Sequence, residues 1–314
     1  MATLKPLSAA ESARLTRWVS LLSVSMASLL VTLKAVAWMV SGSVALLAST
    51  ADSALDLVAS LVTFFAVRYA AAPPDAEHRF GHGKAEAFAS LVQAGLVFAS
   101  AALIGQEAIR HLYEPHPLAQ ESWAVLVMAL STVLTLGLLA AQTRVLRQTQ
   151  SVAISGDRAH YTTDLASNLI ALIGIGASSF FGLNNLDALA AIGVTLLLLW
   201  GAVSVFREAA SQLMDRELPE DQRAQIISIM TQDPKISDVH QLRTRSSGPY
   251  VHIQMHVDLD PDLSLEEAHR LLVAAENRLL VVFPAADIIL HPDPHGRAEP
   301  HGGAFPEDQA GLAA

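Results

Sequence analysis

The sequence predicts a helical membrane protein of six spans, followed by a small soluble domain of order αββαβ. Composition is the first ground. Of 314 residues, 52% are hydrophobic and 16% charged, whereas soluble domains carry about 25% charged residues. Mean hydropathy is +0.39. Distribution is the second ground. Long stretches before residue 206 hold almost no charge, while the chain from Arg207 onward reads as soluble protein. The third is a set of six apolar runs, each near the ~20 residues that a membrane-crossing helix needs.

The runs lie at about 18–40, 44–68, 86–109, 123–144, 158–181 and 186–206. The second and fifth are the least apolar, because each carries ionisable residues. The polar segment with Lys5, Arg14 and Arg17 precedes a run too long for a signal-peptide core, so that run reads as the first span. Basic residues set the orientation. Lys5, Arg14 and Arg17 precede the first span, Arg68, Arg79 and Lys84 lie between the second and third, and Arg144, Arg147 and Arg158 between the fourth and fifth. The opposite side has only Arg110. Both termini should therefore face the cytoplasm. Lys34, inside the first span, is expected to snorkel to the outer interface.

In the soluble part, residues 218–231 have helical periodicity, and 238–246 and 250–259 alternate as two strands across a Ser-Gly-Pro turn. Ser264 and Glu267 have capping-box spacing for a helix to about 282, and 286–292 read as a last strand. The expected division is 1–210 for the membrane domain, 211–296 for the soluble domain and 297–314 for a disordered tail.

A net charge of −10 does not suggest a nucleic-acid partner. With no cysteine, disulfides, thiolate nucleophiles and thiolate metal sites are excluded. A metal site must use His, Asp, Glu or backbone oxygen.

Asp52 and Asp56 stand i, i+4 in the second span, a turn apart on one face. Ionised carboxylates in hydrocarbon are costly, and two on one face repel. A cation between them removes both penalties. His160 and Asp164 repeat the i, i+4 spacing near the cytoplasmic end of the fifth span. Face to face, the two helices offer three carboxylates and one imidazole, a set suited to tetrahedral Zn²⁺. The alternatives are interhelical hydrogen bonding or a proton relay without metal. Asp75, His78 and His82, spaced D-x2-H-x3-H in a loop bounded by Pro and Gly, suit a transition metal; a polar loop with incidental histidines is the alternative. The soluble domain is dense in His240, His252, His256, His269, His291 and Asp293, with scattered surface histidines as the alternative. His111, His116, His295 and His301 read as incidental.

These segments together resemble the cation diffusion facilitator family, in its bacterial zinc/iron efflux branch. The resemblance runs from about residue 14 to 296. It rests on DSALD in the second span, the loop PPDAEHRFGHGKAE, HYTTD in the fifth span, and the strings HQLRTRSSGP, IQMHV and ILHPDP. It implies a homodimer in the cell inner membrane that exports divalent metal ions by alternating access, coupled to protons, with no enzymatic activity. Asp52, Asp56, His160 and Asp164 match the transport site. Asp75, His78 and His82 match a loop site. His240, His256, His269, His291 and Asp293 match a cytoplasmic site that joins protomers, and the soluble domain matches a ferredoxin-like, metallochaperone-like fold. Lys84 and Asp215 match an ion pair between membrane helices and soluble domain. His252 falls outside the pattern and is expected at the surface.

Metal requires ionised carboxylates and a neutral imidazole, so protons and metal compete for the same ligands. One His with three Asp suits Zn²⁺ or Cd²⁺; a harder set would favour Mn²⁺, and Fe²⁺ stays open. A metal-sensing scaffold that does not transport is the alternative from another class, against which the presence of all four ligands argues.

Overall fold

The computed structural model describes residues 7–41, 44–113, 122–181 and 186–297. The chain forms two compact units, Ser12–Leu213 and Met214–Ala314 with Met1–Glu11. Among the described residues the first holds six helices: α1 (Ala9–Ser41), α2 (Val44–Ala70), α3 (Ala85–Tyr113), α4 (Ser122–Thr149), α5 (Val152–Phe181) and α6 (Leu186–Leu213). Among the described residues, five stretches are long and apolar enough to cross a membrane: Ala9–Val40, Ser49–Ala70, Ala85–Arg110, Ala129–Thr149 and Ile192–Leu213. The expected span in α5 is not among them. Its first half carries Asp157, Arg158, His160 and Asp164, and its side chains from residue 171 lie outside the described residues.

Every helix except α2 and α3 runs well past its apolar run, because hydropathy marks only the lipid-facing part and nothing polar in the flanks stops a helix. Ser8 caps α1: its hydroxyl accepts from the Glu11 N–H at 3.3 Å, and the Glu11 carboxylate accepts from the Ser8 N–H at 2.9 Å. The expected fourth–fifth loop shrinks to residues 150–151, turned by Gln150 at φ 52°. Arg144, Arg147 and Arg158 are therefore helical residues, not loop residues. Exposed Leu33, Val36, Leu55, Val58, Phe65, Leu196 and Trp200 give the helices the apolar exterior that lipid requires.

The second unit holds α7 (Glu220–Met230), β1 (Ile236–Ser247), β2 (Tyr250–Leu259), α8 (Leu265–Val282) and β3 (Ala286–Pro294). This is the expected αββαβ order. The sheet runs β1-β2-β3, with β1–β2 antiparallel and β2–β3 parallel. The parallel pair follows from the α8 crossover. Ile253, Met255, Val257 and Leu259 alternate onto one face and close a core with Ile226, Ile229, Met230, Ala275 and Leu279 from the two helices. The other face carries His252, Gln254, His256 and Asp258 from β2, and Asp287, His291 and Asp293 from β3. Residues of the expected tail from 298 onward lie outside the described residues.

Candidate metal sites

Asp56 on α2 and His160 and Asp164 on α5 bring one ligand atom each within 4.8 Å of one another. His160 Nε2 lies 3.1 Å from Asp56 Oδ1 and 3.8 Å from Asp164 Oδ2. The helical i, i+4 spacing puts His160 above Asp164, and α2–α5 packing brings Asp56 to the same point. His160 is buried, and neither its Nδ1 nor Asp164 Oδ2 has a hydrogen-bond partner among the described residues. Buried polar atoms left this way are costly, and a cation at the shared point relieves them. Asp52, one turn before Asp56, is exposed and stands outside the convergent set.

In the loop after α2, Asp75 Oδ1 lies 3.3 Å from His78 Nδ1, and Asp75 Oδ2 lies 3.2 Å from His82 Nε2. The 3.2 Å contact lacks hydrogen-bond alignment, so both ring nitrogens of buried His82 are left without a partner. Tyr69 packs on this ring at 4.4 Å between centroids and fixes it. The Asp75 carboxylate accepts the His78 and Glu77 backbone N–H groups, at 2.6 and 2.9 Å. Led by the His78 N–H, these donors hold its carboxyl below the usual aspartate range, so it is ionised and ready for a cation. Gly81 adopts φ 79°, the left-handed turn that brings His82 back over Asp75.

On the open face of the sheet, His240, His256 and Asp293 form a third set within 4.8 Å. His240, His256 and His291 share one cross-strand register, and Asp258 and Asp293 the next. Asp293 Oδ2 lies 2.8 Å from His256 Nδ1 and 3.4 Å from His240 Nε2, while its Oδ1 faces His291 Nε2 at 3.3 Å. Burial works to raise the Asp293 carboxyl, but the His256 hydrogen bond and the three surrounding imidazoles prevail and hold it low. Imidazoles around a buried carboxylate are a donor set that fits zinc.

The family of the cation efflux transmembrane domain matches residues 20–214, and that of the cation efflux protein cytoplasmic domain matches 218–295. The chain belongs to the cation diffusion facilitator family. It is 42% identical to the cation-efflux pump FieF of Yersinia enterocolitica over 90% of this chain and 94% of that one. Against FieF of Klebsiella pneumoniae it is 40% identical, over 90% and 93%. Against FieF of Yersinia pestis it is 42% identical, over 88% and 93%. A divalent metal efflux transporter of the membrane is thus the coarse identity of this family member.

Several residues of this transporter sit where the sequence did not predict them. His269 on α8 is exposed and stands outside the His240, His256 and Asp293 cluster. His252 is buried, not a surface residue, because Asp287 of β3 takes its Nδ1 at 3.1 Å. His295, expected to be incidental, meets Asp258 through its Nδ1 at 3.2 Å, and Asp258 in turn meets His240 at 3.3 Å. His111, His116 and His301 have side chains outside the described residues. Lys84 donates to the Leu213 carbonyl at 3.3 Å, and Asp215 meets Arg245 at 3.3 Å.

Two features escaped sequence reading. Lys34 does not snorkel outward: its Nζ donates to Ser53 Oγ at 2.7 Å and to the Ser49 carbonyl at 3.4 Å, because α2 offers nearer acceptors. Asp157, fully buried on α5, accepts from Ser23 at 2.7 Å, Gln142 at 2.8 Å and Gln93 at 3.4 Å. Gln93 also donates to Thr63 and the Ala59 carbonyl, and Tyr161 joins Ser60 and the Ser23 carbonyl. This network fastens α1 to α5 together one turn from His160. The signal was present: Asp157 stands i−3 from His160, just outside the apolar run.

Proposed function

We propose that this transporter exports Zn²⁺ from the cytoplasm in exchange for protons, by alternating access of a site made of Asp52, Asp56, His160 and Asp164. The observation that carries the reading is the convergence of Asp56, His160 and Asp164 on one point between α2 and α5. Three carboxylates with one imidazole suit Zn²⁺ or Cd²⁺ and leave Fe²⁺ as a competing substrate, while Mn²⁺ prefers a harder set. Zinc and protons compete for these atoms, since the ion needs ionised carboxylates and a neutral ring. Of the four side chains, only histidine is a type that ordinarily changes charge between pH 5 and 8, so His160 carries the coupled proton. Asp52 completes the set once an ion draws it in. The fixed site then faces each side in turn as the helices rearrange.

The transporter is a homodimer in the inner membrane, with both termini cytoplasmic. His240, His256, His291 and Asp293, with His269, hold structural zinc on the open sheet face and join the protomers there. Asp75, His78 and His82 hold a further ion in the loop. Support comes from the basic-residue asymmetry, the open polar sheet face and the family match of residues 218–295.

The test is zinc flux into liposomes holding an internal zinc dye, with an imposed pH gradient, for wild type and Asp56→Ala. Flux that needs the gradient and vanishes in the variant supports antiport through this site. Zinc binding without flux in wild type refutes it and favours a metal-sensing scaffold.

A further inference from the structure

A lysine inside a membrane span is rare and costly, and such residues mark function. Lys34 lies on α1, yet its ammonium is moored to α2, on the Ser53 hydroxyl at 2.7 Å and the Ser49 carbonyl at 3.4 Å. Ser53 is buried and stands on the same helical turn as Asp52 and Asp56. Asp56, Asp164 and Asp52 all lie within electrostatic reach of Nζ. Its hydrogen-bond partners are a hydroxyl and a carbonyl rather than a carboxylate, so the charge stands beside the ligands without occupying them.

We propose that Lys34 is the resident counter-ion of the metal-free transport site, a fixed positive charge that offsets the carboxylates between cargoes and weakens their hold on a divalent ion. The physical need is plain. When the ion leaves, clustered carboxylates remain in a medium of low dielectric, where like charges repel strongly and isolated charges are costly. A tethered cation within electrostatic reach offsets that cost in every conformation that keeps Lys34 moored to Ser53. The same charge repels an arriving divalent ion. The site therefore binds less tightly than its ligands alone would, and a carrier must release its cargo as well as take it. Ser53 is the positioning group: it holds the ammonium near the Asp turn and away from the ligand atoms.

This inference rests on Asp56, His160 and Asp164 being the transport site. The experiment compares full-length wild type with Lys34→Gln, Lys34→Met and Lys34→Arg at pH 8, where proton competition is weak. Two quantities are read: equilibrium zinc binding, and zinc flux in liposomes as a function of zinc concentration. In Lys34→Gln and Lys34→Met the dissociation constant and the half-saturating zinc concentration should both fall, by about tenfold or more for loss of a nearby charge. Maximal flux should fall with them, because release slows. Lys34→Arg keeps the charge and should restore both. Reduced flux with unchanged or weaker zinc binding in both neutral variants overturns the proposal and leaves Lys34 a packing role. Should wild type itself give no flux, the transport reading fails, and the binding comparison still decides the lysine: tighter binding without the charge upholds it, equal binding refutes it. If Lys34→Gln does not fold, Lys34→Met and Lys34→Arg carry the same comparison.

Discussion

Asp157, buried on α5, links α5 to three other helices of the membrane unit. Its carboxylate takes hydrogen bonds from Ser23, Gln142 and Gln93, on α1, α4 and α3. Asp157→Ala strands these donors in a site that is fully buried, and losing an acceptor there costs about 1–3 kcal/mol. Thermal unfolding in detergent should show the loss. Asp157→Asn keeps one carbonyl acceptor and should retain part of the stability. An alanine variant as stable as wild type would show that the network is not structural. Asp157 also marks what the sequence could and could not say. Asp56, His160 and Asp164 were legible, because i, i+4 spacing on an apolar helix fixes a common face without knowledge of the neighbour. The destination of Lys34 was not, since a lysine has reach enough to serve either the interface or an adjacent helix, and only packing decides.

At the scale of elements, α5 and α3 approach closely at Gly156. A Cβ there would stand 2.9 Å from Ser90 Oγ, 3.1 Å from the Gln93 Cβ and 3.1 Å from the Ser90 backbone. Only the hydroxyl can swing aside. Gly156→Ala should therefore push α5 from α3 and cost about 1–3 kcal/mol, read as a lower unfolding temperature with weaker flux, since His160 rides on the same helix. Unchanged stability would mean that α3 yields freely.

Helix α8 offers the second prediction. Ser264 accepts from the Glu267 N–H at 3.3 Å while Glu267 accepts from Ser264. Ser264→Ala should cost about 1 kcal/mol. The Ser264 hydroxyl and N–H hold the Glu267 carboxyl below its ordinary value. A depressed acid lends stability that is present above the unfolded-state value and lost as pH falls through the folded one. The gap between Ser264→Ala and wild type should accordingly narrow as pH drops through the glutamate range, and a constant gap would contradict the cap. The start of α8 was legible from the capping spacing. The register of β1 was not. A bulge between His240 and Arg243, with Gln241 at φ 48°, puts His240 opposite His256 and Thr244 onto the core face beside Ile253. Simple alternation would have set His240 and Thr244 on one face.

For the whole molecule, sequence reading found the order of elements because two periodicities mark it plainly: apolar runs of spanning length, then the αββαβ pattern. It missed helix ends, where polar residues continue a helix beyond lipid. The family resemblance assigned His269 to the cytoplasmic cluster, yet in the chain His269 stands apart from His240, His256 and Asp293. A ligand set completed across a dimer leaves that pattern, so zinc should tighten association. His240→Ala and metal chelation should each shift the purified protein from dimer toward monomer, measured by light scattering after size exclusion. A dimer indifferent to both would assign the cluster a purely local role.

The proposed path of the ion runs through a site between α2 and α5. Anomalous diffraction at the zinc edge, on crystals of the zinc-loaded full-length protein, tests it most directly. A peak bounded by Asp56, His160 and Asp164 is expected, with Asp52 drawn toward it, and loss of that peak alone in Asp56→Ala. Zinc at the loop and on the sheet face, with none between α2 and α5 in a protein that moves zinc, would contradict it.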